Sequence, residues 1–249
     1  MVTNMGQAKK GLVPFKKQIP ISFFESLNMR GISFEGKKVA DIGARTGTLT
    51  RKLKLRNADV IGVELSEELL EEAKRFSKER FVQIPYVKGS AQNLDLEESR
   101  YDMVTVYQAW HLFKRERALK EIRRILKPKG KLIVADSRIL RDGEPVETTI
   151  RALENFLGEN IWPSGMESRH EINGYPVEWF TEWRDNGFEL RDFYKLDFKA
   201  SFSNEKWLNQ FFAAKDLPSA LLKEFDSQFG ARAAHTIPYV CNVCILESN

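Results

Sequence analysis

What this chain lacks narrows it first. No run of about 18 apolar residues occurs, so no segment reads as a membrane-spanning helix. The opening residues, Met1-Val-Thr-Asn-Met-Gly-Gln-Ala-Lys-Lys10, hold no apolar signal core, and a cytoplasmic protein is expected. Only two cysteines occur in 249 residues, Cys241 and Cys244. Their C-x-x-C spacing would suit a redox pair or half a metal site. It lies, however, in Ile237-Pro-Tyr-Val-Cys-Asn-Val-Cys-Ile-Leu246, an apolar run that reads as a buried strand. Residues three apart on a strand face opposite sides, and no second cysteine pair or nearby histidine pair completes a zinc set. Two core thiols and no metal are expected. Charge of one sign is scarce too: 39 Lys and Arg stand against 35 Asp and Glu, for a net +4 spread along the chain. The densest basic stretch runs from Lys114, Arg115 and Arg117 through Arg123, Arg124, Lys127, Lys129 and Lys131. Its second half falls on a helix end, where the helix dipole favours cations, so it reads as structural and points away from a nucleic-acid partner.

What is there is ordinary for a soluble globular protein, 42% apolar and 30% charged, and from Lys37 it becomes regular. Val39-Ala-Asp-Ile42 is a short apolar strand ended by Gly43, and Thr48 to Leu55 is helical, with Leu49, Leu53 and Leu55 as inward candidates. Val60-Ile-Gly-Val63 is a second strand. Ser66 then caps a helix with acidic Glu67 and Glu68 in its first turn and Leu69, Leu70, Ala73 and Phe76 at helical spacing. Pro85–Gly89 and Asp102–Tyr107 read as the third and fourth strands, Glu116–Leu126 as a helix stopped by Lys127-Pro-Lys-Gly130, and Lys131–Asp136 as the fifth strand. Short apolar strands alternating with helices predict an α/β fold, a mostly parallel sheet covered on both faces. After Asp136 the alternation loosens into helical pieces rich in Phe156, Trp162, Tyr175, Trp179, Phe180 and Trp183. A strand at 188–198, a helical stretch at 204–229 and the cysteine-bearing strand follow, making seven strands in all. No linker, repeat or low-complexity segment interrupts the chain. One domain over 1–249 is expected: an N-terminal helical cap (1–36), a cofactor-binding core (37–136), a helical lid insertion (140–187) and closing strands and helix (188–249).

The informative stretch is Val39-Ala-Asp-Ile-Gly-Ala-Arg-Thr-Gly-Thr48, between a strand and a helix. Gly43 and Gly47 would let backbone approach a ligand where a Cβ would collide. In an open parallel sheet, ligands lie beyond the carboxyl ends of the strands. At the end of the second strand, Glu64 can accept hydrogen bonds from the two hydroxyls of a ribose. The dinucleotide pattern G-x-G-x-x-G fails because Arg45 and Thr48 occupy two glycine positions. The phosphate loop G-x-x-x-x-G-K-[ST] fails because Thr48 replaces its second glycine and no lysine follows. What remains is Asp-x-Gly-x-x-x-Gly, whose acid would repel a pyrophosphate but could orient a ligand carrying an ammonium group.

That pattern resembles motif I of the class I S-adenosylmethionine-dependent methyltransferases, over about Lys37 to Asp136, and is most similar to the small-molecule group that includes the ubiquinone/menaquinone C-methyltransferases. Asp41-Ile-Gly-Ala-Arg-Thr-Gly47 looks like the first loop and Glu64 like the ribose-binding acid. Gly89-Ser-Ala-Gln-Asn-Leu94 is similar to the adenine loop, Tyr101–Phe113 to the fourth strand and the turn under the methionine moiety, and Leu126–Leu132 to the approach to the fifth strand. The resemblance implies a Rossmann-like, doubly wound fold with S-adenosylmethionine as cofactor and S-adenosylhomocysteine as product. It places cofactor contacts at Asp41, Gly43, Ala44, Arg45, Gly47, Glu64, Leu65, Ser90, Ala91, Gln92, Tyr107 and Gln108. Two positions depart from the family pattern. Arg45 stands where a third glycine is common and could pair with the cofactor carboxylate, and Ser90 stands where Asp is usual.

A sulfonium methyl is already activated, so the protein needs mainly to align a nucleophile and exclude water. His111, just past the fourth strand, is the candidate general base, and Trp110, His170 and Trp179 are candidates for an acceptor wall. His235 reads as structural. The Asn/Asp-Pro-Pro-Tyr/Phe signature of amino-group methyltransferases is absent, since Tyr107-Gln-Ala-Trp110 stands there. The expectation is methyl transfer to a small, partly apolar molecule by a monomer or homodimer. An RNA or tRNA methyltransferase and a non-catalytic S-adenosylmethionine-binding protein remain as alternatives, with a nicotinamide oxidoreductase disfavoured by the glycine spacing.

Overall fold

Strand formation begins one residue after Lys37, where the sequence turns apolar. A computed structural model describes residues 18–141, 143–158, 171–211, 218–230 and 234–249. β1 (Lys38–Ile42) is buried along nearly its whole length, as a central strand covered on both faces must be. β1 runs parallel to β2 (Asp59–Glu64) on one side, Val39 opposite Val60, and to β4 (Tyr101–Tyr107) on the other, Ala40 opposite Val104. β2 in turn pairs in parallel with β3 (Tyr86–Lys88), and β4 with β5 (Leu126–Ile139). With β8 (Phe188–Ser203) and β9 (Ala234–Ser248) the seven-stranded sheet has the order β3-β2-β1-β4-β5-β9-β8. The chain steps outward from β1 to β3 and then returns to β4 on the opposite side of β1. That reversal opens a crevice at the carboxyl ends of β1 and β4.

The helices form where the sequence supplies caps and apolar stripes. α2 (Thr48–Lys54) buries Leu49 and Leu53, while Leu55, an inward candidate by sequence, is 70% exposed at the helix end. In α3 (Glu67–Glu79) the Ser66 hydroxyl accepts from Leu69 N at 3.3 Å, the expected cap. Its buried face is Leu70, Ala73 and Ser77; Leu69 and Phe76 lie half-buried on the flank. α4 (Arg115–Ile125) buries Ala118, Leu119, Ile122 and Ile125, one stripe at helical spacing. Between β4 and α4, residues Trp110–Leu112 make a single 3-10 turn. β5 starts earlier than its apolar run. Leu126 pairs with Tyr101 and Lys131 with Met103, so Lys127-Pro-Lys-Gly130 bulges out opposite Asp102 and the strand resumes. The Lys127 ammonium closes the bulge on Asp102 Oδ1 at 2.7 Å. No helix among the described residues is long and apolar enough to cross a membrane.

The chain divides into two compact units. The larger comprises Ile19–Ser137, Arg169–Leu196 and Cys241–Asn249. Its core combines Ala40, Ile42, Val104, Leu119 and Leu132 of sheet and helix with Tyr175, Trp179 and Trp183. Of the predicted N-terminal cap, α1 (Ile21–Met29) lies in this unit and sets the Phe23 ring 5.7 Å from that of Tyr107. The stretch expected as a lid insertion is divided between the two units. Its second half, the hairpin of β6 (Glu171–Ile172) and β7 (Tyr175–Pro176) with α6 (Val177–Asp185), belongs to this larger core. The Tyr175 hydroxyl donates there to Val134 O at 2.8 Å and Asn242 O at 3.0 Å. Aromatic mass explains the placement: three large rings gain more by burial than a mobile flap would allow.

Its first half, α5 (Glu144–Leu157), belongs to the second unit, formed by described residues within 138–168 and 197–240. There α5 joins α7 (Asn204–Leu208) and α8 (Ser219–Phe229), which the sequence pattern predicts as one stretch, around Ile139, Val146, Leu153, Trp207 and Phe225. The Trp207 indole donates to Thr149 Oγ1 at 2.7 Å. His235 meets Asn204 Oδ1 at 2.5 Å against the Phe229 ring, and burial lowers its pKa, in keeping with a structural role.

Candidate cofactor site

The loop between β1 and α2 is shaped by left-handed backbone. Gly43 (φ 73°) donates its N–H to Val63 O at 2.9 Å, joined by Ala44 N at 3.0 Å. A Cβ on Gly43 would stand 2.6 Å from Ala109 Cβ. Gly47 (φ 72°) opens α2, and a Cβ there would meet Arg51 Nη1 at 2.9 Å and the Tyr86 hydroxyl. Both glycines are therefore demanded by the protein's own neighbours. Arg45 sits at φ 52°, a conformation that costs an L-residue roughly 1–2 kcal/mol.

Two carboxylates organise the loop in different ways. Glu64 ends β2 at 8% exposure. Its Oε2 accepts from Arg45 N at 2.8 Å and its Oε1 from Ser66 N at 2.9 Å. Each oxygen keeps a further lone pair for a donor. Asp41 is 1% exposed, and its oxygens accept from Thr50 Oγ1 at 2.6 Å and Thr105 Oγ1 at 2.9 Å. Burial pushes its pKa up to about 6, with the two threonine hydroxyls pulling down and the Glu64 charge adding to the rise. Asp41 thus braces the loop from behind, tying α2 to β4, and is not presented to a ligand's ammonium group.

The third loop follows β3. Asn93 N donates to Ser90 O at 3.0 Å in a tight turn, the Ser90 hydroxyl donates to Gln92 Oε1, and Gln92 N donates to Ser90 Oγ at 3.3 Å. Ala91 is buried in the core behind the turn, while Leu65, just after Glu64, is exposed. At the end of β4, Tyr107 is buried and its hydroxyl donates to Ser137 Oγ at 2.9 Å; burial holds its pKa well above the usual phenol value. Gln108 adopts φ 58°, donates its N–H to Ala135 O at 2.7 Å, and turns its side-chain amide to Ser137 O and to Ser137 Oγ at 3.1 Å. His111 is exposed on the 3-10 turn that follows.

Residues 40–134 match the methyltransferase domain family. An uncharacterised methyltransferase of Schizosaccharomyces pombe is 30% identical over 181 residues, covering 72% of this chain and 68% of the relative. The chain belongs to the class I S-adenosylmethionine-dependent methyltransferases. A second relative of this methyltransferase, the ubiquinone/menaquinone biosynthesis C-methyltransferase of Campylobacter jejuni, is 28% identical over 185 residues, 66% of this chain and 75% of that one. An uncharacterised methyltransferase of Mycobacterium tuberculosis is 33% identical over 134 residues, 48% of this chain, and the match spans about half of that relative, 54%. The fold agrees with a solved S-adenosylmethionine-dependent methyltransferase from Aquifex aeolicus (TM-score 0.54, 13% identity, 90% of this chain and 89% of that one).

The cofactor candidates Asp41, Gly43, Ala44, Arg45, Gly47, Glu64, Leu65, Ser90, Ala91, Gln92, Tyr107 and Gln108 all belong to the larger unit, at the carboxyl-terminal ends of β1, β2 and β4 or on the loops that follow β1, β2, β3 and β4. The acceptor-wall candidates are placed otherwise. Trp110 (2% exposed) and Trp179 (9%) lie in the apolar core, with the Trp183 ring 6.1 Å from one and 6.3 Å from the other. Their rings pack in that core. His170 lies outside the described residues. Sequence reasoning missed Thr50, Thr105 and Ser137. Thr105 is the one whose signal was readable: a hydroxyl inside the apolar run of β4 implies a buried partner.

Proposed function

We propose that this chain transfers a methyl group from S-adenosylmethionine to a small, partly apolar acceptor. The observation that carries the reading is Glu64: a buried acid at the end of β2, held by two backbone amides, with lone pairs left over. A vicinal diol supplies two O–H donors and suits that acceptor set; a phosphate, which has only acceptors at neutral pH, does not. Ser90, Ala91 and Gln92 would hold adenine through the turn after β3. Gly43, Ala44, Arg45, Gly47, Tyr107 and Gln108 would border the methionine end, with Leu65 beside the ribose and Asp41 behind the loop. The cofactor supplies the activated methyl group; the chain supplies orientation and exclusion of water. His111, exposed on the 3-10 turn, would take a proton from the acceptor. Trp110 and Trp179 enter as packing that fixes the segment bearing it. The quinone methyltransferase of C. jejuni favours an apolar small molecule over RNA as acceptor, and a cytoplasmic site of action accompanies this reading.

The test is titration calorimetry with S-adenosylmethionine, S-adenosylhomocysteine and NADH. Micromolar binding of both sulfur compounds and silence from NADH supports the reading. Silence from both sulfur compounds in a folded sample overturns it, and a cofactor left unaltered beside a broad panel of apolar acceptors favours a non-catalytic binding protein.

A further inference from the structure

The basic run at the end of α4 holds a contact that helix electrostatics does not explain. Arg124 lies in the last turn, where any cation suits the dipole. Its guanidinium nevertheless makes a directed set of bonds. Nη2 donates to Leu94 O at 2.8 Å and Nη1 to Leu96 O at 2.8 Å. Nε and Nη2 also reach Glu121 at 3.0 and 2.9 Å. Glu121, one turn earlier, accepts Leu94 N at 2.8 Å through the oxygen that Arg124 also holds. Both backbone polar groups of Leu94 are therefore gripped by one ion pair, while its side chain is anchored in the core. Mutual pairing lowers the Glu121 pKa and raises that of Arg124, so both stay charged across the physiological range.

Leu94 is the residue immediately after the Ser90–Asn93 turn. That turn has few ties of its own: one backbone bond, and the Ser90–Gln92 side-chain contacts. Its carboxyl-terminal end is fixed by the α4 pair together with the buried Leu94 side chain. We infer that Glu121 and Arg124 are positioning residues for base recognition: they set the 90–93 turn so that its backbone discriminates adenine from other purines. The inference rests on the cofactor reading above. Arginine is required, because a planar fork can reach two carbonyls and a carboxylate together, whereas a lysine ammonium is a point donor on a flexible stem.

The experiment compares S-adenosylhomocysteine with S-inosylhomocysteine, in which an oxo group replaces the 6-amine, by titration calorimetry of wild type, Arg124→Lys and Glu121→Gln. Wild type is expected to prefer the adenine compound by at least about tenfold. In either variant that preference falls to about threefold or less, chiefly through weaker adenine binding. A general loss of structure would weaken both ligands alike and leave the ratio standing. Glu121→Gln, which keeps the side chain's shape and one acceptor oxygen, serves if Arg124→Lys does not fold. Folded variants with an unchanged ratio overturn the inference while leaving the cofactor reading intact. A wild type that binds neither compound overturns the cofactor reading, and the inference with it.

Discussion

Replacing Asp41 with asparagine should make this protein more resistant to unfolding at neutral pH, by an amount that depends on pH in a defined way. The carboxyl is fully enclosed between Thr50 and Thr105, and its pKa rises from an ordinary 3.8 to about 6 because burial penalises the charge. The folded state then holds this proton more tightly than the unfolded chain does. Stability from this group is complete below the ordinary value and is lost as pH rises through about 6. At pH 7.5 the loss is about 3 kcal/mol, and at pH 5 it is about half of that. The substituted asparagine would carry no charge and keep the side chain's shape, an oxygen acceptor for one threonine and an amide donor for the other. Differences in hydrogen-bond strength shift the variant's stability by a constant, whereas the ionisation penalty grows with pH. The stability advantage of Asp41→Asn over wild type should therefore increase by roughly 1 kcal/mol between pH 5 and pH 7.5. Urea unfolding followed by tryptophan fluorescence at four pH values reads it directly. An advantage that stays flat across that range refutes the account of a buried, reluctantly ionised brace.

At Glu64, the alanine variant should weaken S-adenosylmethionine binding at least about tenfold, about 1.4 kcal/mol, and also lower stability, because the Arg45 and Ser66 amides lose their acceptor. Glu64→Gln keeps one acceptor oxygen but turns its amide donor toward the other backbone N–H, so it should bind weakly and also lose part of the wild-type stability; binding by that variant equal to wild type in calorimetry would contradict a role for the charge. Arg45→Gly should raise stability by about 0.5–1 kcal/mol, since left-handed backbone strain is relieved against a modest entropic cost, whereas Arg45→Val should lose more than about 1 kcal/mol. The same ordering in chemical denaturation would support this, and a reversed order would not. Cys241 and Cys244 are free and buried, and burial raises both thiols, Cys241 to about 12. A thiol reagent at pH 8 should label them only at the rate of unfolding; rapid labelling of the native protein would mean that β9 is accessible.

Much of the larger unit was readable because its signals are local. Ser66 ahead of two glutamates announces α3, and the apolar runs ending at Ile42, Val63 and Tyr107 announce three central strands. What escaped was written in contacts between distant segments. Lys127-Pro-Lys-Gly130 has turn chemistry and does turn, yet Leu126 pairs with Tyr101, so the strand spans a bulge that only its partner reveals. Trp179 and Trp183 have helical spacing whether they face a ligand or a core; only their neighbours decide. The loop shows the same division. Asp41, Gly43, Gly47 and Glu64 were recognisable by type and spacing, but which atoms crowd Gly43, and which hydroxyls claim Asp41, depend on β4 and α2 meeting in space.

The two amides held by Glu64 belong to different loops, one following β1 and the other following β2. On the proposed cofactor reading, a single side chain is both recognition element and hinge pin. Redesign of the cofactor preference at this position is constrained accordingly. A basic residue introduced to welcome a phosphorylated ribose would bring only donors to a place where two donors already wait, and both loops would come loose at once. Any such conversion must begin by supplying substitute acceptors for Arg45 and Ser66, which makes Glu64 harder to exchange than a role in binding alone would suggest.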